Sequence, residues 1–592
     1  MRLCDASRTA HVNRSNEDSS LSPAAERFWP AVRRRALSGF LWGSEAVARV
    51  SGRRKPYGVL KLEVSGDIPE EESEQRFFGL LRRSTEDYAS LVALLRAARD
   101  DSALRGVFVR CEHVNASWAR LQGLRRGFER LRQAGKRVWV HLNAAGIHEY
   151  YLATAADHVS LTPAATLDIA GLSSEAIFLL GALEKAGVQA DVVQMGRYKA
   201  IGETFTRRDM SAAHREMIES LVDDLYSQVL EGVGAGRSMA PEAVREVFDR
   251  GPFLAEEALA ARLVDEIGYE DEVEAKLVEA CHGASVIERR DYVHRRGRAV
   301  QQQVLRARHG SVAVLHVTGT IKGGDSVPGP EGVSATGAAA VAAALKEVRE
   351  RDDVRALVVR VASPGGSGAA SDLIWRELMR MRDKKPVVIS CGDVAASGGY
   401  YVALAGDSIV AEGGTITGSI GVVAGKASLR GLYERLGVNK EFVRRGKHAG
   451  LYSDYAPLDA DERARLEAEA QSFYRSFVEK VAAARRLSVG AASDSAEGRV
   501  WTGRQAWTRG LIDRLGDFGD ALDLAKERLG IPVDEPVSVE TFPRPRRLFK
   551  LSLDVNVPHA GPLTELITSF ARLEFFCRER IWAILPFSLR FR

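Results

Sequence analysis

Residues 395–401 read Ala395-Ala-Ser-Gly-Gly-Tyr-Tyr401, and residues 145–151 read Ala145-Gly-Ile-His-Glu-Tyr-Tyr151. The two stretches lie 250 residues apart, and the same offset relates other landmarks. Arg110 and Arg360 each close an apolar run, Ala186-Gly-Val188 returns as Leu436-Gly-Val438, and Gly196 returns as Gly446. Further out, the alternating run Val59-Leu-Lys-Leu-Glu-Val64 matches Val312-Ala-Val-Leu-His-Val317. Both copies end alike, in Arg262-Leu-Val-Asp-Glu-Ile-Gly268 and Gly510-Leu-Ile-Asp-Arg-Leu-Gly516. The chain is a tandem duplication.

Within the second copy the pattern predicts a strand at 356–361, a helix at 369–381, a strand at 386–390, a helix at 399–405 and a strand at 408–411. Such alternation builds βα units around a mostly parallel sheet, so the fold class is α/β in tandem repeats. The expected organisation is an N-terminal tail over 1–55, a first repeat over 56–285, a basic linker or connecting helix over 286–310, a second repeat over 311–540 and a C-terminal tail over 541–592. A chain of 592 residues exceeds one core.

The net charge of +4 leaves no nucleic-acid footprint. Five scattered cysteines without CxxC spacing argue against a disulfide framework or a zinc site. Neither a long apolar run nor an h-region marks a membrane span or secretory signal. Both ends are basic and amphipathic, with Phe28, Trp29, Phe40 and Trp42 around Arg33-Arg-Arg35, and Phe575, Phe576, Trp582 and Phe587 among arginines. That composition suits either a membrane surface or packing on the protein itself.

The copies differ where chemistry would sit. Ser397 faces Ile147 at the matching position, and Lys199 of Gly196-Arg-Tyr-Lys199 faces Ala449. Ser397 follows a buried strand and precedes Gly398-Gly399: either a tight turn with a cap, or a strand-to-helix turn that exposes a nucleophile beside free N–H groups. Ser363-Pro-Gly-Gly366 offers the backbone of Gly365 and Gly366 to an oxyanion, whereas the first copy has His113-Val-Asn-Ala116 there. No histidine is placed like a triad member. A lysine serves as base if neutral, which requires its pKa of about 10.4 to fall by roughly three units, or about 4 kcal/mol. Burial without a carboxylate partner supplies such a shift. The apolar neighbours Val192, Val193, Met195, Tyr198 and Ile201 favour that setting for Lys199 over a solvated one. Ser419, in Thr415-Ile-Thr-Gly-Ser-Ile-Gly421, is a hydroxyl that can orient the amine, or simply part of a turn of small residues. A serine in one repeat and a lysine in the other suggest a composite site.

At these motifs the chain resembles the signal peptide peptidase A family in its long, double-domain form, serine–lysine peptidases of bacterial membranes. The resemblance spans about residues 56–540. It rests on Gly196-Arg-Tyr-Lys-Ala200, Arg208-Asp-Met-Ser211, Ser363-Pro-Gly-Gly-Ser367, Gly392–Tyr400, Thr417-Gly-Ser-Ile-Gly421 and Val500-Trp-Thr-Gly503. It implies a crotonase-like fold akin to Clp protease, with Ser397 as nucleophile, Lys199 as general base and Ser419 coordinating the lysine. The backbone of Gly365 or Gly366 and of Gly398 would bind the oxyanion. It further implies endopeptidase action on cleaved signal peptides and other short apolar peptides, without cofactor or metal, by a homotetramer at the outer, periplasmic side of the inner membrane. The sequence departs from the family pattern at Ala362, at Glu203-Thr-Phe205 and in lacking the usual N-terminal span. Two other readings of the fold are an acyl-CoA hydratase or isomerase, which would lack the paired Ser and Lys, and an inactive membrane-associated ring scaffold.

Overall fold

The computed structural model describes residues 57–70, 74–77, 81–84, 87–307, 309–327, 335–543 and 582–584. The basic amphipathic segments 1–55 and most of 541–592 lie outside them. The first repeat contributes strands β1 (Val59–Asp67), β2 (Gly106–Asn115), β3 (Arg137–Gly146), β4 (His158–Leu161), β5 (Gln189–Met195), β6 (Glu266–Ile267) and β7 (Val286–Glu288). Its principal helices are α1 (Tyr88–Arg99), α2 (Trp118–Gln133), α3 (Ile147–Ala153) and α4 (Ala212–Arg237).

The second repeat contributes β8 (Ser311–Thr318), β9 (Thr320–Lys322), β10 (Ala335–Gly337), β11 (Val354–Ser363), β12 (Gly365–Ser367), β13 (Val387–Ala396), β14 (Ser408–Ala411), β15 (Ile416–Gly418), β16 (Val422–Ser428), β17 (Val500–Thr502) and β18 (Ser538–Phe542). Its helices include α5 (Gly368–Arg382), α6 (Gly398–Ala403), α7 (Ala460–Arg485) and α8 (Phe518–Arg528). A further strand, β19, is Trp582–Ile584.

The first eight-stranded sheet runs β6-β4-β3-β2-β1-β7 along its main path, parallel throughout. The second runs β17-β15-β13-β11-β8-β18, with β14 beside β13, and is parallel except where β17 meets β15. Near-continuous Val/Ile/Leu runs such as Ala356–Val361 form these strands because both faces are buried. The tandem α/β architecture expected from the 250-residue offset is present. The segment 286–310 begins with β7, which pairs with β1, and continues as a helix over Arg289–Ala307.

The repeated motifs do repeated work. Tyr150 Oη donates to the Leu263 carbonyl at 2.9 Å, and Tyr400 Oη to the Leu511 carbonyl at 2.7 Å. The Val159 and Ile409 N–H groups donate to Asp265 and Asp513, at 2.8 and 2.7 Å. Arg237 and Arg485 pair with those same aspartates. Each closing motif therefore ties a helix and a sheet edge together.

The two repeats share a core. Val312, Val314, Val358 and Val388 of the second sheet belong to one apolar cluster with Tyr88, Leu91 and Phe128 of α1 and α2 and with Ala521 of α8. The other face of the second sheet packs Ile374, Leu378 and Phe477 of α5 and α7. Ion pairs rim the shared face: Arg126 to Glu412 at 2.7 Å, Arg130 to Asp517 and Asp520, and Arg120 to Asp393.

At its centre Arg360 donates to Glu70 of the first repeat at 2.8 and 3.0 Å, and to Ser390 Oγ and the Cys391 carbonyl. Its guanidinium also stacks near the rings of Tyr88 and Phe518. Burial alone would raise the Glu70 carboxyl, but the opposing Arg360 charge outweighs it and holds the group below its ordinary value. Removing one partner of such a pair leaves a buried charge uncompensated. Arg360→Ala is therefore expected to cost about 3–5 kcal/mol in chemical denaturation, and Arg360→Met combined with Glu70→Leu distinctly less. Equal losses in the single and double variants would deny the pair this role.

Candidate active site

A third sheet, ordered β10-β9-β12-β19-β16-β5, joins the repeats. Its strand β5 comes from the first repeat and pairs antiparallel with β16 through seven residue pairs, from Val422↔Met195 to Ser428↔Gln189. Lys199 lies just past the end of β5 and Ser419 just before β16, so this register carries the lysine to the second repeat.

The lysine loop is then clamped by the segment before β17. The Tyr198 N–H donates to the Glu497 carbonyl at 2.8 Å, and the Gly498 N–H to the Ile420 carbonyl at 2.8 Å. Gly498 has φ +74°, and a Cβ there would lie 2.7 Å from the Lys199 backbone and Cβ. Only glycine admits the lysine loop this closely. Glu497 and Gly498 were missed in the sequence, which offered only an unremarkable Ala-Glu-Gly turn. Tyr198 Oη adds a second anchor, contacting Glu216 at 3.0 Å and Arg499 at 3.0 Å.

Ser397 sits at the end of β13, immediately before α6. Its φ of 54° and ψ of −115° are unusual for a residue with a side chain, a conformation costing on the order of 1–3 kcal/mol. Two hydrogen bonds hold it there: its N–H donates to the Gly418 carbonyl at 2.8 Å, and its carbonyl accepts from the Tyr401 N–H at 2.8 Å. Ser419 is also at positive φ, 51°, with its N–H on the Arg499 carbonyl at 2.7 Å.

These constraints bring three predicted residues together. Lys199 Nζ is 2.7 Å from Ser397 Oγ, 2.9 Å from Ser419 Oγ and 3.1 Å from the Ser419 carbonyl oxygen. Lys199, Ser397 and Ser419 all have 0% exposure. Burial pushes the Lys199 amine well below its ordinary value, and no carboxylate charge opposes the shift. A neutral amine has two N–H donors and one lone pair. Its donors fit the two Ser419 oxygens, and its lone pair then faces the Ser397 hydroxyl. His448 lies beside Asp461 at 3.4 Å on the surface, and His316 is in β8.

The glycine loop is organised by Ser363, whose hydroxyl donates to the Gly319 carbonyl at 2.6 Å and accepts from the Gly365 N–H at 3.1 Å. The Gly365 N–H is thus turned inward. Gly366 crowds the Ile321 backbone, where a Cβ would meet the Ile321 carbonyl oxygen at 2.0 Å. Gly398 opens α6. Gly399 lies against Ser363, its notional Cβ 2.6 Å from the Ser363 carbonyl oxygen. The first repeat has Glu149 at that position. Its carboxylate accepts from the Gly146 N–H at 2.8 Å and from the Val114 N–H. In the first copy a carboxylate therefore fills the place that Gly399 leaves open in the second.

The chain is similar to several known proteins. The chain is 34% identical to the chloroplastic serine protease SPPA of Arabidopsis thaliana, over 82% of this chain and 71% of that protein. It is 30% identical to Protease 4 of Salmonella typhi, over 79% of this chain and 78% of that protein. The model of Peptidase family S49 matches twice, at 130–282 and 379–531, once in each repeat. With a buried serine–lysine contact between two matched repeats, the chain belongs to Peptidase family S49 and is a serine-type peptidase of duplicated α/β fold.

Proposed function

We propose that the protein is an endopeptidase that degrades short apolar peptides, cleaved signal peptides among them, through a Ser397–Lys199 dyad. The observation that carries the reading is the contact of a wholly buried, uncompensated lysine amine with Ser397 Oγ at 2.7 Å. Neutral Lys199 takes the proton as Ser397 Oγ attacks the peptide carbonyl carbon, forming a tetrahedral adduct. The oxyanion donors in this reading are the Gly366 and Gly398 N–H groups, since the Gly365 N–H is taken by the Ser363 hydroxyl. The lysine ammonium then protonates the leaving amine, and the acyl-enzyme remains. Neutral again, Lys199 deprotonates the water that releases the second product. Ser419 holds the amine's N–H groups so that its lone pair stays on the serine.

The relatives' names support the substrate class, and the basic, aromatic composition of residues 1–55 and 541–592 supports work at a membrane surface. No helix among the described residues is long and apolar enough to cross a membrane. A homotetramer on the outer, periplasmic side of the inner membrane completes the proposal. Light scattering and flotation with anionic vesicles test those two points, a monomer or an unbound fraction counting against them.

Ser397→Ala and Lys199→Met are each expected to lower kcat for a fluorogenic apolar peptide by about four orders of magnitude or more, and the double variant no further. Near-normal turnover in Lys199→Met would remove the lysine from the reaction. Labelling of wild type by a serine-directed phosphonate should map to Ser397.

Protonated Lys199 cannot accept the serine proton, so activity should rise with pH along one deprotonation, at an apparent pKa below the ordinary lysine value of 10.5. Ser419→Ala should lower kcat without abolishing it and move that limb.

The same shift sets a stability expectation. Between the lowered pKa and 10.5 the unfolded chain binds a proton that the folded chain does not, so wild-type stability rises with pH across this window. Lys199→Met, relieved of that linkage, should melt higher than wild type at neutral pH, and the gap should shrink as pH approaches 10.5. A gap independent of pH would mean that Lys199 is charged in the fold.

A further inference from the structure

The third sheet contains a strand that neither repeat supplies. Trp582–Ile584 is inserted between β12 and β16, pairing antiparallel with β12 through Gly365↔Ile584, Gly366↔Ala583 and Ser367↔Trp582. On its other side Trp582 pairs antiparallel with Val423 of β16. Its two neighbours are the two walls of the candidate active site: β12 carries Gly365 and Gly366, and β16 follows Ser419 and holds β5 with its lysine loop. The strand also approaches α6, which begins immediately after Ser397.

Without β19, β12 and β16 would face each other as two unpaired edges. Unpaired N–H and C=O rows on an edge are templates for an extended peptide. A slot with such an edge on each side takes one added strand, whose main chain pairs with both walls. The place where the main chain of a peptide would have to lie, between oxyanion glycines and dyad, is the place where residues 582–584 lie. The sequence there, Ile581-Trp-Ala-Ile-Leu585, is itself a short apolar stretch, and its small residue, Ala583, is the one opposite Gly366.

We propose that Trp582–Ile584 is a tethered occupant of the peptide slot, an internal competitor that an incoming peptide must displace before Ser397 can reach it. The proposal rests on the reading of Ser397 and its surroundings as the active site. A strand on the same chain acts at a high effective concentration, so modest pairing suffices to keep the slot filled. If the free slot is populated about one tenth of the time, the apparent KM is raised about tenfold while kcat is unaffected, because the chemistry after displacement is the same.

The test uses the full chain carrying Ala583→Pro, which removes an N–H from a strand flanked on both sides, where proline is not accommodated. With a fluorogenic apolar peptide, KM is expected to fall several-fold at unchanged kcat. The rate of phosphonate labelling of Ser397 at sub-saturating probe should rise by the same factor. A synthetic peptide of sequence 580–592 added to the variant should restore the higher KM competitively. Ala583→Gly, which keeps the N–H but weakens the strand, should move KM the same way by a smaller factor, and it serves if the proline variant melts early.

Unchanged KM in both variants, with Ser397 still labelled, would overturn the occupant and leave the nucleophile standing. A raised KM would show that the strand is part of the substrate's own binding wall, and would equally overturn it. A lowered KM with labelling at some residue other than Ser397 would keep the occupant and remove the nucleophile.

Discussion

The antiparallel pairing of Gln189–Met195 with Val422–Ser428 is the constraint on which the site depends. It is a contact between two repeats, and it is made of backbone hydrogen bonds rather than of catalytic residues. Because successive side chains of a strand point to opposite faces, a slip of one residue would reverse every side chain of β5 relative to β16. Lys199 follows Met195 and Ser419 precedes Val422, and Met195 pairs with Val422, so both lie at the same end of that pairing and their approach is fixed by register. The Gly498 contact then closes the lysine loop from the other side. A long side chain with four rotatable bonds is thereby held at three distances of 2.7–3.1 Å.

Dryness is the second requirement. A lysine works as a base only where its ammonium is disfavoured, and a carboxylate nearby would undo that. The buried charges around Arg360, Glu70, Arg120 and Asp393 at the shared face each have an opposite partner. The catalytic region instead places hydroxyls and carbonyl groups around the amine. The strained backbone of Ser397 is held in the same way: hydrogen bonds to the Gly418 carbonyl and from the Tyr401 N–H offset a conformation that the residue would not adopt alone.

Much of this was legible in the sequence, and the rest was hidden for definite reasons. The duplication was visible because its structural tasks repeat, as Tyr150 and Tyr400 show by finding carbonyls in matching motifs. Ser397 and Lys199 stood out because one copy keeps each and the other does not, and Ser419 because its motif matches the family's. Strand ends were less visible: β13 runs on to Ala396, past the expected Ser390, because Gly392–Ala396 carries no apolar run yet still pairs with β15. That the lysine reaches the serine within one chain depends on β5 leaving its own repeat, which no local pattern encodes. Glu497 and Gly498 act through close approach to residues some 300 positions away, and close approach has no periodicity. The inward turn of the Gly365 N–H depends on one serine rotamer.

The side chain of Glu149, lodged on the Gly146 and Val114 N–H groups of the first repeat, fixes what that copy can offer. With Ile147 where the second copy has Ser397, and a carboxylate where it has Gly399, the first copy presents no hydroxyl nucleophile at this turn. The second copy has Ala449 where the first has Lys199. On the proposed assignment neither repeat carries both members of the pair, so the smallest piece able to act is the two repeats together.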